Sequence, residues 1–242
     1  MMEKRFRDMK LSQRNLVSKR HLFEAITVYL VSFIFPPFIY AIFSSTLGFE
    51  YLRAHAYIFG TLFEFLLVGF LCILFAILDR DSRSTYGLTS KGLVSSLVIG
   101  LALVGAHSLM SHISGKPVID PRLDAFTQSL TQPFPQNIGF ALFCGFAYGP
   151  LQVFFLIFLV DRFDKVLDAK PSRIDYRGTI ITVLLWALPH ILNVTVLGPT
   201  AALIQLAKLL IIGPILIIVF KYTGSSLGSM VYWTFIELAQ TY

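Results

Sequence analysis

Few side chains in this sequence are able to do chemistry in an apolar environment, and most of them fall in three stretches. Gln152 closes the run Tyr148-Gly149-Pro150-Leu151-Gln152. His190 follows Pro189 and stands four residues after Trp186, with Asn193 one further turn along. Trp233 and Glu237 repeat the four-residue spacing. Residues four apart share a helix face, so each pair forms one patch. A proline inside an apolar helix frees the carbonyl one turn back and kinks the axis. Such breaks survive in lipid only where protein or trapped water satisfies the loosened backbone. The two proline-bearing runs are therefore expected to face each other around a polar pocket. Glu64 is a further candidate: a carboxylate in an apolar run is expensive to bury charged and needs a partner, with Lys208 and His107 as the options.

These residues are positioned by apolar helices. Of 242 residues, 55% are hydrophobic and 14% charged, against roughly 25% charged in soluble domains. That is the composition of a polytopic membrane protein, an all-α helix bundle. The net charge of +6 does not point to nucleic acid, because the cations sit in short loops between apolar runs. Seven spans are expected: 22–44, 57–79, 92–113, 137–160, 179–197, 200–220 and 224–240. Residues 1–21 form a basic cytoplasmic arm with seven Lys or Arg, and 22–242 form one transmembrane domain. The first run is read as an uncleaved signal-anchor. Between spans three and four, a Pro-rich break holds a short interfacial helix, expected over 124–130. Cys72 and Cys144 both lie in apolar runs, so no disulfide framework is expected.

Orientation follows from the cations. With the N-terminus cytoplasmic, the inner segments hold sixteen Lys or Arg and the outer segments three (Arg53, Lys116, Arg122), Lys208 being intramembrane. The positive-inside rule selects that arrangement, which puts the C-terminus outside. At about 1.5 Å per residue, Gln152 lies roughly 12 Å from the cytoplasmic edge, His190 roughly 16 Å, and Trp233 and Glu237 roughly 14 to 20 Å. Three spans thus bring polar groups to one layer.

The segments Tyr86-Gly87-Leu88, Gly149-Pro150, Trp186-x-x-x-His190 and Thr223-Gly224-Ser225-Ser226-Leu227, in this order and spacing, resemble the CPBP intramembrane proteins. That family includes the CAAX prenyl endopeptidases and bacteriocin-processing enzymes. The resemblance covers about 80–240. It implies a CAAX-protease-like core and a site built from Glu-Glu-x-x-x-Arg, Phe-x-x-x-His and His-x-x-x-Asn or Asp. Here the Glu pair falls at Gln152-Val153 and the Arg at Ile157. Trp186 stands for Phe with His190 kept, and Trp233-x-x-x-Glu237 lacks the third motif's histidine. A glutamine amide is not a proton acceptor, and losing a general base costs roughly 10²–10⁴-fold in rate.

The reading is a catalytically degenerate relative, a scaffold or accessory subunit of a membrane complex, with the bilayer and a membrane protein subunit as partners. The aromatics Phe140, Phe143, Phe154, Phe155 and Phe158 are the expected surface for a partner helix. Two alternatives stay open: an endopeptidase using His190 and Glu237, and a proton or small-molecule carrier using Glu64, Lys208 and Glu237. His190 is either a base or ligand, or a histidine satisfied by Asn193, a freed carbonyl or water. Glu237 either replaces a lost acid or reaches towards the surface. Neither cofactor nor metal is expected, since scattered carboxylates and one intramembrane His fall short of three or four ligands.

Overall fold

The computed structural model describes residues 2–114, 128–168, 175–194 and 198–239, without the side chains of 2–15, 53–54, 56–57, 111, 114, 193, 201 and 238–239. The side chains of Asn193 and Arg53, the cations Lys116, Arg122, Lys170 and Arg173, and most of the interfacial helix expected over 124–130 lie outside the described residues. Helix accounts for 87% of the structure, with no strand among the described residues. Helix α1 is Met2–Leu47 and is followed by a short helix, Phe49–Ala54. Helix α2 comprises Ala56–Phe63, a π-helical stretch Glu64–Phe70 and Leu71–Leu78. Helix α3 is Leu93–Ser114. Helix α4, Gln136–Val166, contains a second π-helical stretch, Ala147–Leu151. Helix α5 is Arg177–Ala187, continued by a 3₁₀ turn Leu188–Asn193. Helix α6 is Pro199–Thr223 and α7 is Leu227–Ala239.

Five helical runs are long and apolar enough to cross a membrane: Leu16–Leu47, Ile58–Leu78, Leu93–Met110, Gln136–Val166 and Ala202–Thr223. The chain thus has the architecture of an all-helical, multi-pass membrane protein. The fifth and seventh expected spans are the shorter helices α5 and α7, the latter of 13 residues.

The centre of the bundle is α4. In its apolar window 78% of residues are buried, against 11% in α1 and α3. A helix that is apolar on every face is buried on every face, and Gln152 through Val160 is such a run. Phe154, Phe155 and Phe158 are core residues, 7%, 1% and 0% exposed. The expectation that they form a surface for a partner helix was therefore wrong, because this stretch of α4 has no outward face. Phe140 and Phe143 are half-buried. Helix α4 also runs six residues past the expected boundary at 160, to Val166. Gln152 consequently stands at its middle, roughly 21 Å of helix from that end rather than 12 Å.

Contacts between helix ends fix one end of the bundle. Ser18 Oγ donates to the Val166 carbonyl (3.4 Å), and Lys221 Nζ reaches Asp164 (2.9 Å) and the Asp175 carbonyl (3.0 Å). The Ser226 N–H donates to the Gly87 carbonyl (3.1 Å). The α1 segment around Ser18, the starts of α3, α5 and α7 and the ends of α2, α4 and α6 meet there, so successive helices alternate in direction. Gly224 makes the reversal from α6 to α7: its φ of 77° lies in the left-handed region, and its N–H donates to the Phe220 carbonyl at 2.8 Å.

Small residues let α7 lie directly on α3. Ser96 Oγ donates to the Ser225 carbonyl (2.9 Å) and accepts from the Gly228 N–H (2.8 Å). A Cβ at Gly228 would collide with the Ser96 carbonyl oxygen, whereas one at Gly105 on the same α3 would meet nothing within 4 Å. Close approach through such residues is the usual glue between helices in lipid. Gly228→Ala should therefore lower the thermal unfolding temperature in detergent, since overpacking costs about 1–3 kcal/mol. Gly105→Ala should leave it unchanged or raise it. Equal behaviour of the two variants contradicts the packing described.

Candidate functional site

The two π-helical stretches lie against each other, and the polar groups cluster around them. Pro150 has no N–H and its ring clashes with the carbonyl a turn back; widening the turn to π geometry relieves both problems. Such bulges occur often at functional sites. Beside it, Gly149 leaves room for Thr234 of α7. The result is that Glu64 at the head of one π stretch and Gln152 just after the other come together. Gln152 Nε2 donates to Glu64 Oε1 at 3.0 Å, and Gln152 Oε1 accepts from Trp233 Nε1 at 2.8 Å. Gln152 and Trp233 are 4% and 2% exposed.

From Trp233 the cluster continues through rings. Trp186 meets Trp233 edge to face with centroids 5.3 Å apart, and His190 meets Trp186 at 6.2 Å. His190 Nδ1 lies 2.9 Å from the Trp186 carbonyl. A carbonyl only accepts, so Nδ1 carries the proton and Nε2 is the basic nitrogen of neutral His190. The 3₁₀ geometry of Leu188–Asn193 explains this partner. An i→i−3 pattern releases the i−4 carbonyl, which the His190 side chain then caps.

The structure thus brings together Glu64, Gln152, Trp186, Trp233 and His190. It does not bring His190 to Gln152, because two indoles stand between them. Glu237, 8% exposed, lies one turn beyond Trp233; with Glu64 it is within electrostatic reach of the Cys144 thiol, which sits beside buried Thr61. Glu64 accepts a hydrogen bond from Gln152, and Lys208 and His107 lie within electrostatic reach of one another. At the position of the family's arginine, Ile157 is 1% exposed, and Val153 is 0% exposed. Chemically this is an amide bridging a carboxylate to an indole.

A second polar cluster was missed in the sequence. Arg162, placed in a basic loop by cation counting, is 0% exposed and inside the bundle end. Its Nε lies 2.7 Å from Glu24, its Nη2 2.8 Å from Asp79 and 2.7 Å from Asp81, and its Nη1 2.6 Å from Asp161. Its guanidinium carbon lies 4.5 Å from the centre of the Phe158 ring. Arg20 pairs with Asp79 and Glu24, and Lys165 with Asp161 (2.8 Å) and Asp81 (3.3 Å). The signal was present in Asp79-x-Asp81 and Asp161-Arg162, acids beside cations at two span ends. Counting only Lys and Arg discarded it.

His21, Glu24 and Asp79 place ligand atoms within 4.8 Å of one another, a grouping with metal-like geometry that was not expected. The same carboxylates already hold Arg162 and Arg20, so a divalent cation there has to displace a guanidinium group. Burial opposes charge on Asp81, but hydrogen bonds from the Tyr86 hydroxyl (2.5 Å) and from Arg162 outweigh it and hold this carboxyl below the usual range. Burial, and then the bond to Asp81, push the Tyr86 hydroxyl upward.

Comparison with family models, with curated proteins and with solved structures returned no match. What the fold and clusters define is a class: an all-helical, multi-pass membrane protein with a polar bridge at mid-bundle and a buried arginine at one end.

Removing the arginine alone strands its carboxylates. Arg162→Met should cost about 3–5 kcal/mol in detergent unfolding. Asp81 adds a pH dependence. Its folded pKa is depressed, so its stabilisation is complete above the ordinary value of 3.8 and lost as pH falls through the lower folded value. Asp81→Asn should flatten that acid limb. An unaltered limb, or an Arg162→Met protein as stable as the wild type, contradicts the network.

Proposed function

We propose that this chain is a catalytically inert relative of the CPBP intramembrane proteins, serving as a scaffold or accessory subunit of a membrane complex. The observation that carries the proposal is Gln152. The position where the resemblance puts a water-activating carboxylate holds an amide, and both ends of that amide are engaged in bonds between helices. General-base catalysis needs a proton acceptor of suitable pKa, which an amide does not supply. His190, retained from the second motif, has Nδ1 turned to its own backbone, and its ring packs on Trp186. With Phe154, Phe155 and Phe158 in the core, the surface open to a partner helix is on α1 and α3, where Val94, Val98 and Leu101 are exposed.

We further propose seven membrane-crossing helices with the Arg162 end cytoplasmic, the N-terminus inside and the C-terminus outside. The supporting observation is that Arg20, Arg80, Arg83, Lys91, Lys165, Arg177 and Lys221 all gather at that end.

One observation favours a second reading, a residual endopeptidase. Glu64 and Glu237 each lie within electrostatic reach of Cys144, and His190 keeps a basic Nε2. Proton or small-molecule transport through Glu64, Lys208 and Glu237 is the third reading.

The full chain purified in mild detergent should bring a stoichiometric membrane partner and leave prenylated or membrane-anchored peptides uncut. Gln152→Leu should lower thermal stability, because it removes the bond to Glu64 and leaves the Trp233 N–H without its acceptor, the latter at about 1–3 kcal/mol. It should not alter the peptide background. A clean monomer sinks the scaffold reading, and cleavage abolished by His190→Ala and Glu237→Gln installs the enzyme in its place.

Orientation is tested separately in intact cells with an impermeant maleimide, Cys72 and Cys144 being buried. Thr131→Cys should label from outside and Ser90→Cys only in inverted membranes. The reverse pattern overturns the orientation.

A further inference from the structure

An opening near the bundle end lies beside the Arg162 cluster, with Asp81 and Tyr86 in its lining. It is a groove of about 600 Å³ between the last turns of α2, the loop after it, and the π stretch of α4. That volume is in the range of ligand sites, roughly 300–1,000 Å³. Its walls are Ile73, Ile77, Phe146, Leu151, Phe154 and Met230, and its mouth carries Arg80, Asp81 and Arg83. Asp81 adds no free negative charge there. One of its oxygens takes the Tyr86 hydroxyl and Arg162, and the other faces Lys165 at 3.3 Å. Arg80 and Arg83 are exposed, and among the described residues neither pairs with a carboxylate. The mouth is therefore cationic and the interior apolar.

We infer that this groove holds one anionic glycerophospholipid, an acyl chain along the apolar wall and the phosphate headgroup on Arg80 and Arg83. Charge complementarity selects the occupant. A guanidinium group matches phosphate with two parallel N–H donors, while a zwitterionic lipid adds a cation of its own beside the arginines. A free anion fills none of the apolar wall. The mouth sits where α2 ends, the level at which headgroups lie if α2 crosses the bilayer, and basic residues at that level attract anionic lipid.

Arg80 gives an independent reason. Its φ is 54°, in the left-handed region, one residue past the helix end where glycine is the ordinary choice. A side chain kept there goes against the backbone preference, and such outliers cluster at ligand-binding positions. The observed outlier faces the groove.

That conformation also supplies a clean test, since Arg80→Gly removes the charge and relaxes the backbone together. The full chain is placed in nanodiscs of equal phosphatidylglycerol and phosphatidylcholine, and retained lipid is counted by native mass spectrometry. The wild type should keep one phosphatidylglycerol, preferred by about tenfold. Arg80→Gly with Arg83→Gln should bring the preference within about twofold, while the unfolding temperature stays the same or rises. Lys91→Gln, a nearby exposed cation outside the groove, should leave the preference intact. Met230→Trp, which fills the groove, should lose both lipids. Equal retention of the two lipids by the wild type overturns the inference. So does a preference that survives the double variant, or one that Lys91→Gln erases equally, since it would then belong to general surface charge.

Discussion

The buried guanidinium group of Arg162 is the constraint on which the bundle end depends. Its four carboxylate neighbours come from three parts of the chain: Glu24 halfway along α1, Asp79 and Asp81 just after α2, and Asp161 on α4 itself. Each carboxylate would be costly to bury alone, as would the arginine. Only one mutual arrangement of α1, α2 and α4 satisfies them together. The planar, forked donor set of arginine suits this task in a way that a lysine point charge does not. Such a network adds less to net stability than to uniqueness, because the desolvation cost offsets much of the Coulombic gain. Lipid-facing packing is weakly directional, so a charged knot specifies register that apolar side chains leave loose.

The mid-bundle bridge repeats that logic with neutral groups. Glu64, Gln152 and Trp233 come from α2, α4 and α7, and the chain of donors runs in one sense: indole N–H to amide oxygen, amide N–H to carboxylate. Two π stretches make the meeting possible by changing the angular register of α2 and α4 at the level where they touch. Around this bridge the core is aromatic, with Trp186 and Trp233 edge to face. Polar specificity and aromatic fill thus share one layer.

Much of this was legible in the residues. Apolar runs separated by charged loops gave the helices, because a spanning segment must satisfy its own backbone and be apolar for its length. Prolines beside Gln152 and His190 marked the broken helices, and the histidine's freed-carbonyl partner was among the options weighed. Glu64 was recognised as needing a partner, and the uncharged amide of Gln152, one such partner, was not among those that charge reasoning named. The burial of α4 was not legible, since a run apolar on all faces reads the same in lipid or in a protein core. Phe154, Phe155 and Phe158 were misplaced for that reason. The Arg162 network was hidden because loop position and burial are decoupled at a helix end: α4 carries its arginine inward through six residues that composition assigned to the loop.

The two cysteines carry a last consequence. Cys72 is fully enclosed, its thiol donating to the Val68 carbonyl at 3.2 Å, and Cys144 is sealed between α4 and its neighbours. They lie in separate clusters, so the native fold offers no thiol pair to oxidise. A disulfide framework ties a protein to the redox poise of its compartment. Neither cysteine makes such a tie here, and both thiols become accessible only when the helices part.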